Sequence, residues 1–373
     1  MFLTYEGKKT EKEILNNTDK AVLISVSGTG AKNKLIQGDN LAILKILLED
    51  YKLAGKVDLI YIDPPFATNG HFKISEDRAN TISRSNGDAI AYSDTLVGAE
   101  FLEFLRQRLI FLRELMSDKA SIYLHIDYKI GHYVKILMDE IFGRKNFRND
   151  IARIKCNPKN FDRKTYGNTK DLVLFYSKSD NITWNEPRIP FTEEDINRLF
   201  KKTDKDGRRY TTIPLHAPGE TENGKTGRIW KGMKPPKGRH WRSDPKLLDE
   251  WDKKGLIEWS ASGVPRKKIY LDEREGKKMQ DIWEFKDPQY PVYPTEKNLD
   301  LLKFIIEASS NEGNLVLDCF SGSGTTLVAA QELNRKWIGI DKSEPAIKVT
   351  KKRLSNSPAN LFSKVGYEFL IQE

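Results

Sequence analysis

Only two cysteines, Cys156 and Cys319, occur among 373 residues, which excludes a disulfide framework and a Cys-rich zinc site. His125, His132 and His216 are scattered, and no metal-ligand spacing is present. No run of about 18 apolar residues could span a bilayer, and no apolar stretch follows a basic N-terminal cluster. The expectation is a cytoplasmic globular protein with no membrane attachment and no metal. Internal repeats and low-complexity segments are also missing, so a solenoid is excluded. Acidic bias is absent: 62 Lys and Arg face 53 Asp and Glu, for a net charge of +9. Such a surplus favours a polyanionic partner, because each phosphate neutralised by Lys or Arg releases counterions. With 38% hydrophobic residues, the chain can build one large core or a core plus a second module, at about 100–200 residues per domain.

Residues 1–32 read as a peripheral N-terminal extension. From Lys34 the pattern sharpens. Leu35 and Ile36 precede Gly38, Asp39 and Asn40, and Leu41, Ile43, Leu44, Leu47 and Leu48 then recur at helical spacing, predicting strand, turn and helix. Val57 to Ile62 is a short apolar strand stopped by Asp63, Pro64, Pro65 and Phe66; consecutive prolines cannot continue a ladder. Ala67 to Val97 is polar and reads as a long functional loop. A helix is predicted over Phe101–Met116, a strand over Ala120–Ile126, a helix over Tyr133–Ile141 and a strand over Asp171–Tyr176. This alternation predicts an α/β, doubly wound sheet.

Between residues 179 and 289 the character changes. Helical periodicity weakens, and six of the seven tryptophans gather here. From Lys225 to Lys278 there are 16 Lys and Arg against 8 Asp and Glu, so the positive charge is concentrated. The stretch reads as an inserted domain, splitting the first fold into segments 33–178 and 290–373. Its densest basic-aromatic run holds Lys234, Lys237, Arg239, Trp241 and Arg242. The four basic residues are candidate contacts to nucleic acid. Trp241 either stacks on bases or forms a small-domain core with snorkelling neighbours.

Two motifs carry chemistry. Leu315 to Asp318 is a strand that opens through Cys319 and Phe320 into Ser321, Gly322, Ser323, Gly324, Thr325 and Thr326, then a helix. Small residues there let backbone approach a ligand beside a helix N-terminus. The next strand ends in Asp341, 23 positions after Asp318, where a carboxylate partners ribose hydroxyls. Thr stands where a third dinucleotide-site glycine is expected, and no P-loop Lys follows, so the turn predicts an adenosine-type ligand. The second motif is Asp63-Pro64-Pro65-Phe66. An exocyclic base amine is a poor nucleophile because its lone pair is conjugated. The Asp63 carboxylate and the Pro64 carbonyl can accept its two N–H groups and favour a pyramidal nitrogen. Proline keeps the turn rigid, and Phe66 offers a ring on which a flipped base can stack.

Asp63-Pro64-Pro65-Phe66 early and Asp318 to Gly324 late resemble the β-class amino-methyltransferases of DNA, which include type III modification subunits and related solitary and type II enzymes. The resemblance covers about residues 33–178 and 285–354. It implies a circularly permuted, Rossmann-like methyltransferase sheet with an inserted target-recognition domain. It also implies S-adenosylmethionine as cofactor, double-stranded DNA as substrate, and transfer to adenine N6, since Asp63 stands where the cytosine-N4 form usually has Ser. Gly38 and Asp39 resemble the strand end that contacts the cofactor's adenine amine. Thr295, Glu296 and Lys297 resemble the segment lining its methionine end, with Asn298 where Pro is usual. The alternatives are cytosine-N4 transfer and a catalytically silent DNA-binding subunit. A cognate restriction endonuclease and a homodimer are the partners the resemblance suggests.

Overall fold

The computed structural model describes residues 2–65, 70–74, 79–80, 89–94, 98–158, 162, 164–221, 224–291, 293–294, 296–357 and 366–373. The chain divides into two compact units, Met1–Pro187 with Gln280–Glu373, and Arg188–Met279.

The first unit opens with α1 (Glu11–Asn17), β1 (Leu23–Ser27), β2 (Asn33–Gln37), α2 (Asn40–Glu49) and β3 (Val57–Ile62). Three short strands follow, β4 (Gly70–Ile74), β5 (Ala79–Asn80) and β6 (Ala89–Asp94). Then come α3 (Gly98–Leu115), β7 (Met116–Ile126), α4 (Tyr128–Phe142), β8 (Phe147–Ile154) and β9 (Lys170–Ser177). The second unit contains β10 (Arg188–Ile189), α5 (Glu193–Leu199), β11 (Lys202–Thr203), β12 (Arg209–Pro214) and β13 (His216–Pro218). It continues with β14 (Arg239–Trp241), α6 (Pro245–Lys253), β15 (Ile257–Trp259), β16 (Pro265–Tyr270) and β17 (Lys277–Lys278). The first unit resumes with β18 (Ile282–Trp283), α7 (Leu299–Ser309), β19 (Leu315–Asp318) and α8 (Thr325–Glu332). It ends in β20 (Lys336–Asp341), α9 (Glu344–Asn356) and β21 (Tyr367–Gln372).

Ten strands form the main sheet, in the order β1-β21-β2-β20-β19-β3-β7-β9-β8-β18. From β21 to β7 every neighbouring pair is parallel, so β2, β20, β19 and β3 end at one edge. The late strands β19 and β20 lie between the early strands β2 and β3, which is the permuted order the motifs predict. Alternate strand residues divide between the faces. Ile36, Ile60, Ile62, Ile122, Leu124, Leu317, Ile338 and Ile340 share one core with the buried stripes of α2, α3 and α4. Burying each such side chain contributes about 1.5–3 kcal/mol. Tyr61, Tyr123 and His125 alternate with these residues, and Tyr123 hydrogen-bonds Ser309 of α7 at 2.8 Å. Helices therefore cover both faces of the sheet.

Three expectations change. The N-terminal extension is not peripheral, because Ile14 is buried in the main core and β1 pairs antiparallel with β21. The 67–97 stretch is more than a loop, because β4 pairs antiparallel with both β5 and β6. The second unit is also narrower than the 179–289 stretch set apart by composition. Trp184 stacks on Phe175 of β9 at 5.9 Å, and Trp283 lies in β18, parallel to β8, so both tryptophans belong to the first unit.

In the second unit, β11, β12, β16 and β15 make an antiparallel sheet and β13 pairs with β14. Leu215, Trp230, Trp241, Leu248 and Ile257 form its core. The Trp230 indole N–H donates to Asp249 at 2.8 Å, and that of Trp241 to the Arg228 carbonyl at 2.9 Å. These bonds satisfy the polar end of each buried ring.

Candidate active site

Four carboxylates stand where β2, β20, β19 and β3 leave the sheet: Asp39, Asp341, Asp318 and Asp63. Register fixes the neighbours. Gln37 pairs with Asp341, Asp318 with Gly339, and Leu317 with Ile60.

Asp318 is almost fully buried. Its Oδ1 accepts the Phe320 N–H at 3.0 Å and its Oδ2 the Thr326 hydroxyl at 2.6 Å. Burial pushes its carboxyl up to about 7, against the opposing pull of those two donors. The turn that follows requires glycine twice. Gly322 and Gly324 have φ of 49° and 74°, a region costly for any other residue. Gly324 also packs tightly, because a Cβ there would lie 2.6 Å from Thr350 Cγ2. Gly322 differs in having nothing within 4 Å of that position. The Ser321 hydroxyl is buried without a hydrogen-bond partner among the described residues, and α8 begins without a side-chain cap.

Asp341 supports this turn from the next strand. Its Oδ2 accepts the Gly322 N–H at 2.7 Å and its Oδ1 the Ser343 N–H at 2.8 Å. Burial raises its pKa while those backbone donors lower it, and burial prevails. From α9, Arg353 donates to the Ser323 hydroxyl at 2.8 Å and the Thr325 hydroxyl at 2.9 Å, and pairs with Glu296 at 3.0 Å. Ser323 and Thr325 are thus held from the α9 side.

Asp39 caps α2, its Oδ1 accepting the N–H groups of Leu41 and Ala42 at 2.9 and 3.4 Å. Its other oxygen lies 3.7 Å from Arg108. Buried Arg108 donates to Asn40 at 2.5 Å, and Asn40 donates to the Cys319 carbonyl at 2.7 Å. The Arg108 guanidinium stacks 3.5 Å from the Phe104 ring, which in turn meets Phe320 at 6.1 Å. Arg108 and Asn40 thereby connect Asp39 to the strand end at Cys319, a link that no local motif announces.

Asp63 follows β3, with Pro64 buried and Pro65 half-buried. Its Oδ2 lies 2.9 Å from Lys297 Nζ, and its Oδ1 is buried with no hydrogen-bond partner among the described residues. Phe66 and Thr295, both expected here, lie outside the described residues. Beneath Asp63 runs a polar chain that sequence reading did not assemble. Tyr61 Oη meets His125 Nδ1 at 2.9 Å, His125 Nε2 meets Asp171 Oδ2 at 3.3 Å, and Lys155 donates to Asp171 Oδ1 at 2.6 Å. Burial first, and then the Lys297 charge, push the His125 imidazole below its ordinary value. Burial works to raise Asp171, but its hydrogen bond with His125 and the Lys155 charge outweigh it and hold the carboxyl well below the usual carboxylate range.

In the second unit, Lys234, Lys237, Arg239 and Arg242 are exposed, whereas Trp241 is buried. Of the two readings of Trp241, the small-domain core is the one observed. Arg239 approaches His216 at 3.3 Å, and Arg242 donates to the Pro214 carbonyl at 2.8 Å. Burial, followed by the charges of Arg239, Arg242 and Arg266, depresses the His216 pKa, so the local field is positive.

The N6_N4_Mtase family of DNA methylases matches residues 57–352. The chain is 42% identical over 366 residues to the type II methyltransferase M.EcaI of Enterobacter cloacae, across 95% of this chain and 77% of that one. It is 25% identical over 362 residues to the Mod subunit of the type III restriction-modification enzyme StyLTI of Salmonella typhimurium. That match covers 88% of this chain and 54% of the relative, so the chain spans about half of the longer protein. The solved PvuII DNA methyltransferase (cytosine-N4-specific) aligns with a TM-score of 0.49 at 12% identity, over 90% of this chain and 92% of that one. The family match runs from β3 through the glycine turn to α9, and the chain belongs to the DNA methylase family.

Proposed function

We propose that this DNA methyltransferase moves a methyl group from S-adenosylmethionine to N6 of an adenine flipped out of duplex DNA. The observation that carries the reading is the hydrogen-bonded pairing of β3 with β19. It sets Asp63 beside the glycine turn at the edge where open α/β sheets bind ligands.

The turn suits an adenosyl ligand. Ser321 offers a buried hydroxyl with no partner among the described residues, Gly322 leaves room for close approach, and α8 begins without a side-chain cap. Asp39, Asp318, Phe320, Ser321, Gly322, Ser323, Gly324, Thr325, Thr326 and Asp341 would line that ligand, with Thr295 assigned by sequence to its methionine end. When bound, the cofactor supplies an electrophilic methyl carried on a sulfonium. Asp63 Oδ1 accepts one N–H of the base amine and the Pro64 carbonyl the other, which localises the nitrogen lone pair. As the N–CH3 bond forms and the S–CH3 bond breaks, its electron pair staying on sulfur as a neutral thioether, the amine nitrogen becomes positive and one of its protons leaves toward Asp63 Oδ1. Phe66 stacks on the flipped base, whose unstacking costs a few kcal/mol. Lys234, Lys237, Arg239 and Arg242 contact the DNA backbone.

The carboxylate at position 63 favours adenine over cytosine. The Mod subunit among the relatives supports a modification role alongside a cognate restriction endonuclease, and the same reading puts the protein in the cytoplasm. No described helix is long and apolar enough to cross a membrane. Incubation with labelled S-adenosylmethionine and mixed-sequence duplex DNA, followed by nucleoside analysis, tests the reading. Label in N6-methyladenine is expected. Label in N4-methylcytosine overturns the choice of base, and cofactor binding without any DNA labelling overturns the activity.

A further inference from the structure

We infer that Lys297 is a positioning residue for the methyl-transfer step, locking the Asp63 carboxylate so that one oxygen faces the base amine. The inference rests on the proposed function, but it moves Lys297 from the cofactor to the catalytic carboxylate.

The two oxygens of Asp63 are treated differently. Oδ2 is held by Lys297 at 2.9 Å, and the Lys297 side chain is itself only 9% exposed. Oδ1 is buried and accepts nothing among the described residues. A buried carboxylate oxygen without a donor is costly, and the N–H of a bound amine is the donor that would satisfy it. Gripping one oxygen fixes rotation about the terminal carboxylate torsion, which is otherwise broad. The direction of Oδ1 is then set before the base arrives.

Lys297 is itself anchored. The next residue, Asn298, caps α7 by accepting the N–H groups of Asp300 and Leu301 at 2.8 and 3.2 Å, and donates to the Lys286 carbonyl at 2.9 Å. Among the described residues, the charged and titratable groups that act on Asp63 or on Lys297 include Asp318, Tyr61, His125 and Asp171. Among the described residues, Lys297 is the cation recorded within ion-pair distance of Asp63. Its charge cannot help by stabilising the reacting nitrogen, which becomes positive as the new bond forms. What Lys297 can supply is orientation, and an error of about 1 Å in a reacting group can cost roughly 10²-fold in rate.

The test uses the full chain, single-turnover methyl transfer at saturating cofactor and DNA, and cofactor affinity by equilibrium dialysis. Lys297→Met should lower the transfer rate constant about 10²-fold and leave cofactor affinity unchanged, while Lys297→Arg should restore most of the rate. In an Asp63→Asn background, with no carboxylate to orient, Lys297→Met should cost nothing further. Lys297→Gln replaces Lys297→Met if thermal melting shows that the latter is unfolded. Weakened cofactor binding with an unchanged rate constant would place Lys297 on the cofactor and overturn the inference. Equal losses in the Asp63 and Asn backgrounds would overturn it as well. Wild-type transfer on the same duplex is the reference, so failure of the functional reading appears there and failure of this inference appears in the variants.

Discussion

The Thr326 hydroxyl donates to Asp318 Oδ2 at 2.6 Å, tying the first turn of α8 back to the last residue of β19. The bond closes the glycine turn from beneath and keeps a buried carboxyl from standing alone. It does not fully offset burial, since the Asp318 carboxyl is still pushed from 3.8 up to about 7. The folded state therefore holds this proton more tightly than the unfolded chain does. Stability contributed by Asp318 is complete below pH 3.8 and is lost as pH rises to about 7. Between about pH 4 and 7, the cofactor-free wild type should lose stability relative to Asp318→Asn. Urea midpoints measured across that window check this, and parallel curves for the two proteins would contradict it.

Asp63→Ala removes the acceptor for the base amine and leaves the glycine turn in place. Methyl transfer should fall by at least about 10²-fold, the scale for losing one preorganised hydrogen-bonding group at a reacting centre. Cofactor affinity, measured by dialysis, should stay near wild type. Undiminished turnover would remove Asp63 from the mechanism.

The two turn glycines should separate stability from binding. Gly324→Ala drives a methyl against Thr350, which is buried and held by its hydrogen bond to the Gly322 carbonyl. With the left-handed backbone added, about 1–3 kcal/mol of stability should be lost. Gly322→Ala meets open space, so its stability cost should be about 1 kcal/mol, from backbone conformation alone. Its methyl would occupy the approach to the turn, and cofactor affinity should drop more than for Gly324→Ala once both proteins are folded. Urea titration and dialysis on the same preparations distinguish the two effects.

What the sequence disclosed follows from how its signals are carried. Asp63 and Asp318 each sit at the end of an apolar run with the rest of their motif in the next few residues, so strand, stop and turn were readable together. The Lys297–Asp63 pair joins distant segments through tertiary packing, and nothing local marks it. His125 and Asp171 were separately visible on strands, but their contact depends on β7 lying antiparallel to β9. The terminal strand β1 was illegible for a different reason. Val22, Ile24 and Val26 point to solvent at the sheet edge, so their alternation does not mark a buried face. Trp184 and Trp283 carried the compositional boundary too far, because aromatic content does not distinguish rings buried against the main sheet from rings in the smaller core.

Trp241 and its neighbours Arg239 and Arg242 should respond in opposite ways to alanine. Trp241 is buried against Trp230, with ring centroids 5.9 Å apart, and its loss should destabilise the smaller unit by about 3–5 kcal/mol. Arg239 and Arg242 are exposed, so their replacement should change stability by no more than about 0.5 kcal/mol. If they grip phosphates, each replacement should weaken DNA binding across sequences and reduce the salt slope by about 1. Binding titrations at several salt concentrations, beside melting curves, read both quantities. A salt slope unchanged by both arginine substitutions would mean that these two exposed side chains do not meet the DNA backbone. The surplus charge of the smaller unit would then have to act through other lysines and arginines.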